Sequence, residues 1–170
     1  MNLDIFIDET ERFQNLKKKD LKKSPNLKII FNLINQHLYA KLKYTDTDTR
    51  TRSKEIVNLL LCKLVDEIEK SPNDYVEFCI KDNESPADLT KRIQNFFKKN
   101  VKERYKEIFI NDEKIGLNPE LVYLIIKELQ NISLLQSSKD ILSDAFLQES
   151  FVFPNYWQIR FSMYVLIRKF

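Results

Sequence analysis

The chain of 170 residues contains one glycine, Gly116. Glycine supplies the tight turns and close backbone approaches on which phosphate-binding loops depend. A single glycine excludes a G-x-G-x-x-G loop and a P-loop, and with them self-contained nucleotide or cofactor binding of those kinds. Histidine is equally scarce. His37 stands alone, so a histidine-based zinc site or a Ser-His-Asp triad has no ordinary means of assembly. His37 sits beside an apolar helical stripe and reads as structural. Two cysteines, Cys62 and Cys79, have sixteen residues and several helix breakers between them. They read as reduced thiols of a cytoplasmic protein. No run of eighteen apolar residues exists, which argues against a membrane span. Asp4, Asp8, Glu9 and Glu11 make the N-terminus unlike a signal peptide. No metal-ligand spacing stands out, and no glycine-flanked serine suggests a nucleophile elbow. The carboxylates show no spacing that singles out an acid/base pair. Asp140 and Asp144 share a helix face, where capping and solvation explain them.

What is present suits a helical domain. Apolar residues make up 43% and charged residues 31% of the chain, and a chain of this length buries roughly 70% of its unfolded surface. Residues 1–54 carry twelve Lys/Arg against seven Asp/Glu, and residues 55–150 carry thirteen against eighteen. A basic end and an acidic middle are compatible with a nucleic-acid contact at one end, and also with a mixed solvated surface.

Along the chain, residues 3–16 suggest a short helix. Lys17-Lys18-Lys19-Asp20-Leu21-Lys22-Lys23 follows, either a phosphate contact or a solvated helix end. Leu27, Ile30, Phe31, Ile34, Leu38 and Leu42 predict a helix over 26–43, with Asn26 as cap. Tyr44 to Thr51 reads as a loop, with Thr51 or Ser53 capping a helix over 54–69. Its alternating Asp and Thr lack the glycine and terminal Glu of a calcium loop. Arg50, Arg52 and Lys54 cluster where that helix begins, and they are the candidate DNA-phosphate contacts. Ile56, Val57, Leu60, Leu61, Leu64, Val65 and Ile68 form its buried stripe, with Glu55, Lys63, Asp66, Glu67 and Glu69 expected on the opposite, solvated side.

Asp74 to Ile80 suggests a short extended piece with Val76, Phe78 and Ile80 on one side. Ser85-Pro86-Ala87-Asp88 and Asn118-Pro119-Glu120 are helix starts, a capping residue followed by proline. Leu89, Ile93, Phe96, Phe97 and Val101 form the apolar face of the first of these helices. Lys91, Arg92, Lys98, Lys99, Lys102 and Arg104 lie mostly off that face, a stripe that either tracks a nucleic-acid backbone or meets water. Residues 107–117 read as an irregular turn or tiny hairpin, with Gly116 permitting a positive φ. Ser137-Ser138-Lys139-Asp140 has a capping pattern before a last helix burying Ile141, Leu142, Ala145 and Phe146. Residues 151–170 then hold seven aromatics, against thirteen in the first 150. They form an aromatic-rich tail, distinct from a helical domain over 1–150.

The run Glu55-Ile56-Val57-Asn58-Leu59-Leu60-Leu61-Cys62-Lys63-Leu64-Val65-Asp66-Glu67 resembles the early helix of adenine-specific DNA methyltransferases of type I restriction-modification systems. Residues 103–117 resemble that family's Y-x-x-I-F helix end and acidic turn. Residues 117–146 resemble its helix ending E-L-Q and the following D-x-L-x-D-A-F helix. The resemblance covers about residues 25–147. It implies the N-terminal helical domain of a modification (methylase) subunit, contributing to DNA binding and to contact with a specificity subunit or second methylase subunit. In the full-length family an S-adenosylmethionine-binding catalytic domain follows. Its Phe-Phe-Thr-Pro and Asn-Pro-Pro-Phe motifs are absent, and Ser150-Phe151-Val152-Phe153-Pro154 echoes the first only faintly. The expectation is therefore an all-α bundle of five to seven helices, truncated before the catalytic domain, with no metal, no cofactor and no methylation of its own. A stand-alone helical protein-interaction module or DNA-binding regulator is the alternative.

Overall fold

The computed structural model describes residues 15–42, 49–106, 109 and 113–137, with backbone alone at 28, 35, 38–42 and 49–53. Among these residues the fold is all-α. Four α-helices follow one another: α1 (Leu27–Leu42), α2 (Thr49–Glu69), α3 (Pro86–Phe96) and α4 (Pro119–Leu129). A 3-10 turn at Lys18–Asp20 precedes them, and a π-helical turn at Phe97–Lys102 extends α3. No β-strand occurs among the described residues, only the isolated bridges Lys17–Tyr75 and Lys22–Ile132. The helix expected over 3–16 lies outside the described residues except at 15 and 16, which are not helical, and the helix expected over 138–146 and the aromatic tail lie outside them altogether.

The local signals of α3 and α4 act as their chemistry predicts. Ser85 accepts a hydrogen bond at its Oγ from the Asp88 N–H, with Pro86 opening the helix. Asn118 accepts at Oδ1 from the Glu120 N–H before Pro119. Each cap satisfies a donor that the first helical turn leaves without a partner. Leu89, Ile93, Phe97 and Val101 are buried along α3 and the π turn, and Leu121, Val122, Ile125, Ile126 and Leu129 along α4. Each such side chain contributes about 1.5–3 kcal/mol through burial. The π turn is defined by the Glu103 N–H donating to the Lys98 carbonyl, five residues back, before Tyr105 N–H returns to the four-residue spacing on Val101.

One continuous core joins Leu27, Phe31 and Ile34 of α1 to the inner faces of the other three helices. α4 packs against α3 and α1, and α2 packs against α3 and the π turn. Helix α2 departs furthest from its sequence reading. It is already helical at Thr49, so Thr51 and Ser53 lie inside it and do not cap it. Threonine and serine cost only a few tenths of a kcal/mol in a helix, less than the packing of the turns that follow. From Glu55 to Glu67 every residue is buried. The expected solvated face, with Glu55, Lys63, Asp66 and Glu67, does not exist there, because loops 74–80, 113–117 and 130–137 close over it.

Four smaller expectations also change. Residues 74–80 form an irregular loop bridged at Tyr75 alone, and Val76, Phe78 and Ile80 do not share one side: Phe78 and Ile80 join the main core, whereas Val76 packs with Leu21 and Cys79. Gly116 does not have a positive φ; Asn83 does, at 58°. His37 is exposed on α1. The lysine-rich segment 17–23 is neither a helix end nor free. It runs as a strap: Lys18 N–H donates to the Asp74 carbonyl, Lys19 N–H to that of Pro72, and Lys22 N–H to that of Asn131. Lys18 Nζ also donates to the Lys70 carbonyl beyond the end of α2 (2.8 Å), where a cation meets the negative end of the helix dipole.

Candidate anion-binding cleft

The buried polar groups of α2 hold loops in place. Asp66, 1% exposed, accepts at Oδ2 from the N–H groups of Glu77 (2.7 Å) and Phe78 (2.8 Å). Glu67, also 1% exposed, accepts from Ser133 Oγ (2.9 Å) and from the N–H groups of Leu134 (2.9 Å) and Leu135 (3.2 Å). Lys63 Nζ approaches Glu67 Oε1 at 3.3 Å and lies over the Phe78 ring, 5.4 Å from its centroid. Burial lowers the Lys63 ammonium below its ordinary pKa, and the Glu67 carboxylate counters this in part. Burial likewise lifts Asp66 and the thiols of Cys62 and Cys79. A thiol raised in this way is a poor nucleophile. Both cysteines are separate, buried and unbridged.

Arg92 is spent in the same manner. Its Nε and Nη2 reach Glu84 at 2.7 and 2.8 Å, and its Nη2 reaches the Cys79 carbonyl at 2.6 Å. Nη1 donates to the Glu77 carbonyl. Arg104 pairs with Glu69. Two members of the expected basic stripe therefore bind the protein itself.

Lys91 and Lys99 are exposed, and only Lys98 and Lys102 of the stripe meet Lys106 and Lys114 at a common site. Residues 113–116 are drawn toward the helices by four ties. The Gly116 N–H donates to Glu55, Asn58 Nδ2 donates to the Lys114 carbonyl (3.3 Å), Gln94 Nε2 to the Ile115 carbonyl (2.7 Å), and Lys102 Nζ to the Glu113 carbonyl (3.2 Å). A Cβ added at Gly116 would stand 3.0 Å from Glu55 Oε1. A side chain here would press on the Glu55 carboxylate where it reaches the backbone, and that carboxylate would have to give by a few tenths of an ångström.

Between this segment and the π turn lies a cleft of about 650 Å³, lined by Gln94, Phe97, Lys98, Lys102, Glu103, Lys106, Phe109, Glu113, Lys114, Ile115 and Gly116. Phe97 and Phe109 meet edge to face, with ring centroids 5.5 Å apart and planes at 90°. Four ammonium groups and two carboxylates thus share a wall with aromatic surface. Glu113, one of the lining residues, has its Oε2 buried away from solvent, with no hydrogen-bond partner among the described residues. The described residues that line the cleft include lysines, carboxylates and aromatic rings, and no serine, cysteine or histidine. Among the described residues no group of three His, Cys, Asp or Glu could hold a metal ion, and no helix is long and apolar enough to cross a membrane.

Arg50, Arg52 and Lys54 occupy the first turns of α2, with Lys54 half-buried; the side chains of Arg50 and Arg52 lie outside the described residues. Lys98 and Lys102 were legible as part of a basic stripe. Lys106 and Lys114 were not, because both lie beyond that stripe and Lys114 is held near α2 and α3 by the ties of residues 113–116. The internal role of α2 did leave a signal: Leu59-Leu60-Leu61-Cys62 carries apolar character right round the helix, the mark of an element enclosed on all sides. The chain matches no family model, no curated protein and no solved structure.

Proposed function

We propose that the chain is a non-catalytic helical module that binds DNA and a partner subunit, as its resemblance to the N-terminal part of type I methylase subunits implies. The observation that carries this reading is the division of its charges. The buried charged groups of α2 hold loops, whereas Lys98, Lys106 and Lys114 gather on one cleft, beside Lys102, which ties the Glu113 carbonyl to the π turn. Lysines so placed neutralise phosphates and release counterions. Arg50, Arg52 and Lys54 at the start of α2 form a second phosphate contact, aided by the positive end of the helix dipole.

Fluorescence anisotropy on duplex DNA tests the reading. Affinity should fall steeply with salt, and Lys98→Glu/Lys106→Glu should lower the log–log slope by about 2, roughly one per lost phosphate contact. Arg50→Glu/Arg52→Glu should lower it separately. Absence of salt-dependent binding by the wild-type chain rules the reading out. Calorimetry with S-adenosylmethionine should show no binding.

A protein-docking role is favoured by one further observation. Ile29 is 56% exposed and Leu33 42%, one turn apart on the outer face of α1. Exposed apolar neighbours of this kind suit a partner surface. Ile29→Asp/Leu33→Asp should then abolish partner-subunit binding and leave DNA affinity unchanged.

A further inference from the structure

An exposed aromatic ring stands beside the lysine-rich strap, outside the cleft. None of residues 17–23 or 71–76 lines that cleft. Lys17 forms an antiparallel bridge with Tyr75, and residues opposed in such a bridge carry their side chains on the same face. Lys17 Nζ stands over the Tyr75 ring, 5.3 Å from its centroid, yet Tyr75 remains 51% exposed. The backbone on either side of the ring is fixed. The Asp74 carbonyl accepts from the Lys18 N–H (3.0 Å), and the Val76 N–H donates to the Leu16 carbonyl (2.9 Å). Leu21 packs inward with Val76 and Cys79, whereas Lys19, Lys22 and Lys23 are exposed. Residues 17–23 and 71–76 together carry five lysines and two acids, Asp20 and Asp74. Both acids are engaged by backbone: Asp20 Oδ2 accepts from the Lys17 N–H (3.2 Å), and Asp74 Oδ2 from the Ser71 N–H (2.8 Å).

We propose that this surface binds a single strand of nucleic acid. Phosphates lie on Lys19, Lys22 and Lys23, and an unpaired base stacks on Tyr75 beside Lys17. Every base has a π face, so a ring of this kind holds a strand without reading its sequence, while the cations next to it follow the backbone. A paired duplex keeps its bases stacked on one another and offers Tyr75 none of them. A membrane surface is held by the apolar area buried in it, and Tyr75 is the only large apolar side chain exposed among residues 15–27 and 70–80. The bridge and its flanking hydrogen bonds hold ring and lysines in place before a strand arrives, so little freedom is lost on binding. The surface is separate from the cleft, and the proposal stands whether or not the cleft receives duplex DNA.

The test uses the full chain with three probes: a short oligothymidylate, a blunt duplex and inorganic polyphosphate. Tyr75→Ala should weaken oligothymidylate binding by at least about fivefold, the lower end for the loss of one stacked base, and should leave duplex and polyphosphate binding unchanged. Tyr75→Phe keeps the ring and should bind oligothymidylate as the wild-type chain does. Lys19→Glu/Lys23→Glu should lower the log–log salt slope for oligothymidylate by about 1.4, roughly 0.7 for each lost contact. Saturating oligothymidylate should also slow amide exchange at Lys18 and Lys19, whose N–H groups close the strap. Far-UV circular dichroism and Tm establish that each variant is folded. The proposal is overturned if Tyr75→Ala leaves oligothymidylate affinity unchanged, if it weakens polyphosphate equally, or if oligothymidylate responds to Lys98→Glu/Lys106→Glu and not to the strap variant. Salt-dependent duplex binding then keeps the DNA reading standing. If the duplex fails to bind and oligothymidylate still binds through Tyr75, the reading of the cleft falls alone.

Discussion

The middle of α2 and the π-turn cleft use the same side chains to opposite ends. On α2, Lys63, Asp66 and Glu67 are removed from water, and loops are built around them. In the cleft, Lys98 and Lys106 stay exposed, and their charge remains available. Desolvated charge is costly unless nearby groups satisfy it, so a buried ionic row specifies its neighbours closely. Solvated charge specifies little internally and remains free to bind. The two regions meet at residues 113–116, which α2 holds through Glu55 and Asn58 and which form one wall of the cleft. The internal row thus shapes the external site.

The largest test of this contrast is Glu67→Ala. It strips three hydrogen bonds from residues 133–135 and leaves Lys63 buried without its carboxylate. The expected loss is about 3–5 kcal/mol in urea denaturation. Lys63→Met/Glu67→Leu together should recover much of it, because no charge is then left stranded.

Asp66 comes next. Asp66→Ala leaves two buried N–H groups unpaired and should cost about 1–3 kcal/mol. Asp66→Asn should cost far less. Both N–H groups bind the same oxygen, Oδ2, while Oδ1 has no partner, so an amide keeps the acceptor and removes the buried charge. The same pair reports on pH. Burial raises Asp66 above its ordinary value of 3.8 and Glu55 above 4.5, outweighing the N–H groups that favour their charged forms. The native state then binds these protons more tightly than the unfolded chain, so stability should rise as pH falls through the raised values toward about 4. Glu84 acts in the opposite sense. Burial raises it, but its hydrogen bonds to Arg92 prevail and hold it below 4.5. Its contribution is present above that value and is lost as pH falls further. Asp66→Asn should flatten the rise in chemical denaturation measured from pH 7 to pH 4.

Gly116→Ala should cost about 1 kcal/mol, one hydrogen bond, as the new methyl displaces the Glu55 carboxylate. The smallest effect on stability belongs to the cleft. Lys98→Glu/Lys106→Glu should leave Tm nearly unchanged, within about 0.5 kcal/mol per substitution, while lowering the salt dependence of DNA binding. A marked loss of stability there would erase the contrast.

The parts legible in the sequence are those decided locally. Ser85-Pro86 and Asn118-Pro119 fix helix starts within four residues, and the Leu/Ile spacing of α3 and α4 fixes their inner faces. Charge on α2 was misread because a two-sided wheel assumes that water covers one side. Whether it does depends on loops more than ten residues away in the chain, which bring backbone N–H groups to Asp66 and Glu67. The cleft was half legible for the same reason. Lys98 and Lys102 share the α3–π stretch, but Lys114 and the unpaired Glu113 reach it only through long-range ties.

The strap at residues 17–23 has a kinetic consequence. Backbone bonds join Lys22 to Asn131 and Ser133, more than a hundred positions along the chain, and Leu21 rests in a small cluster with Val76 and Cys79, apart from the main core. A contact of such sequence separation closes a long loop, and its entropic cost falls late in folding. Having little apolar area of its own, the strap is also the piece best suited to detach while the helices stay folded. Amide exchange at Lys22 and Ser133 should therefore outpace exchange in the middle of α2, which marks the strap as the first of the described segments to open.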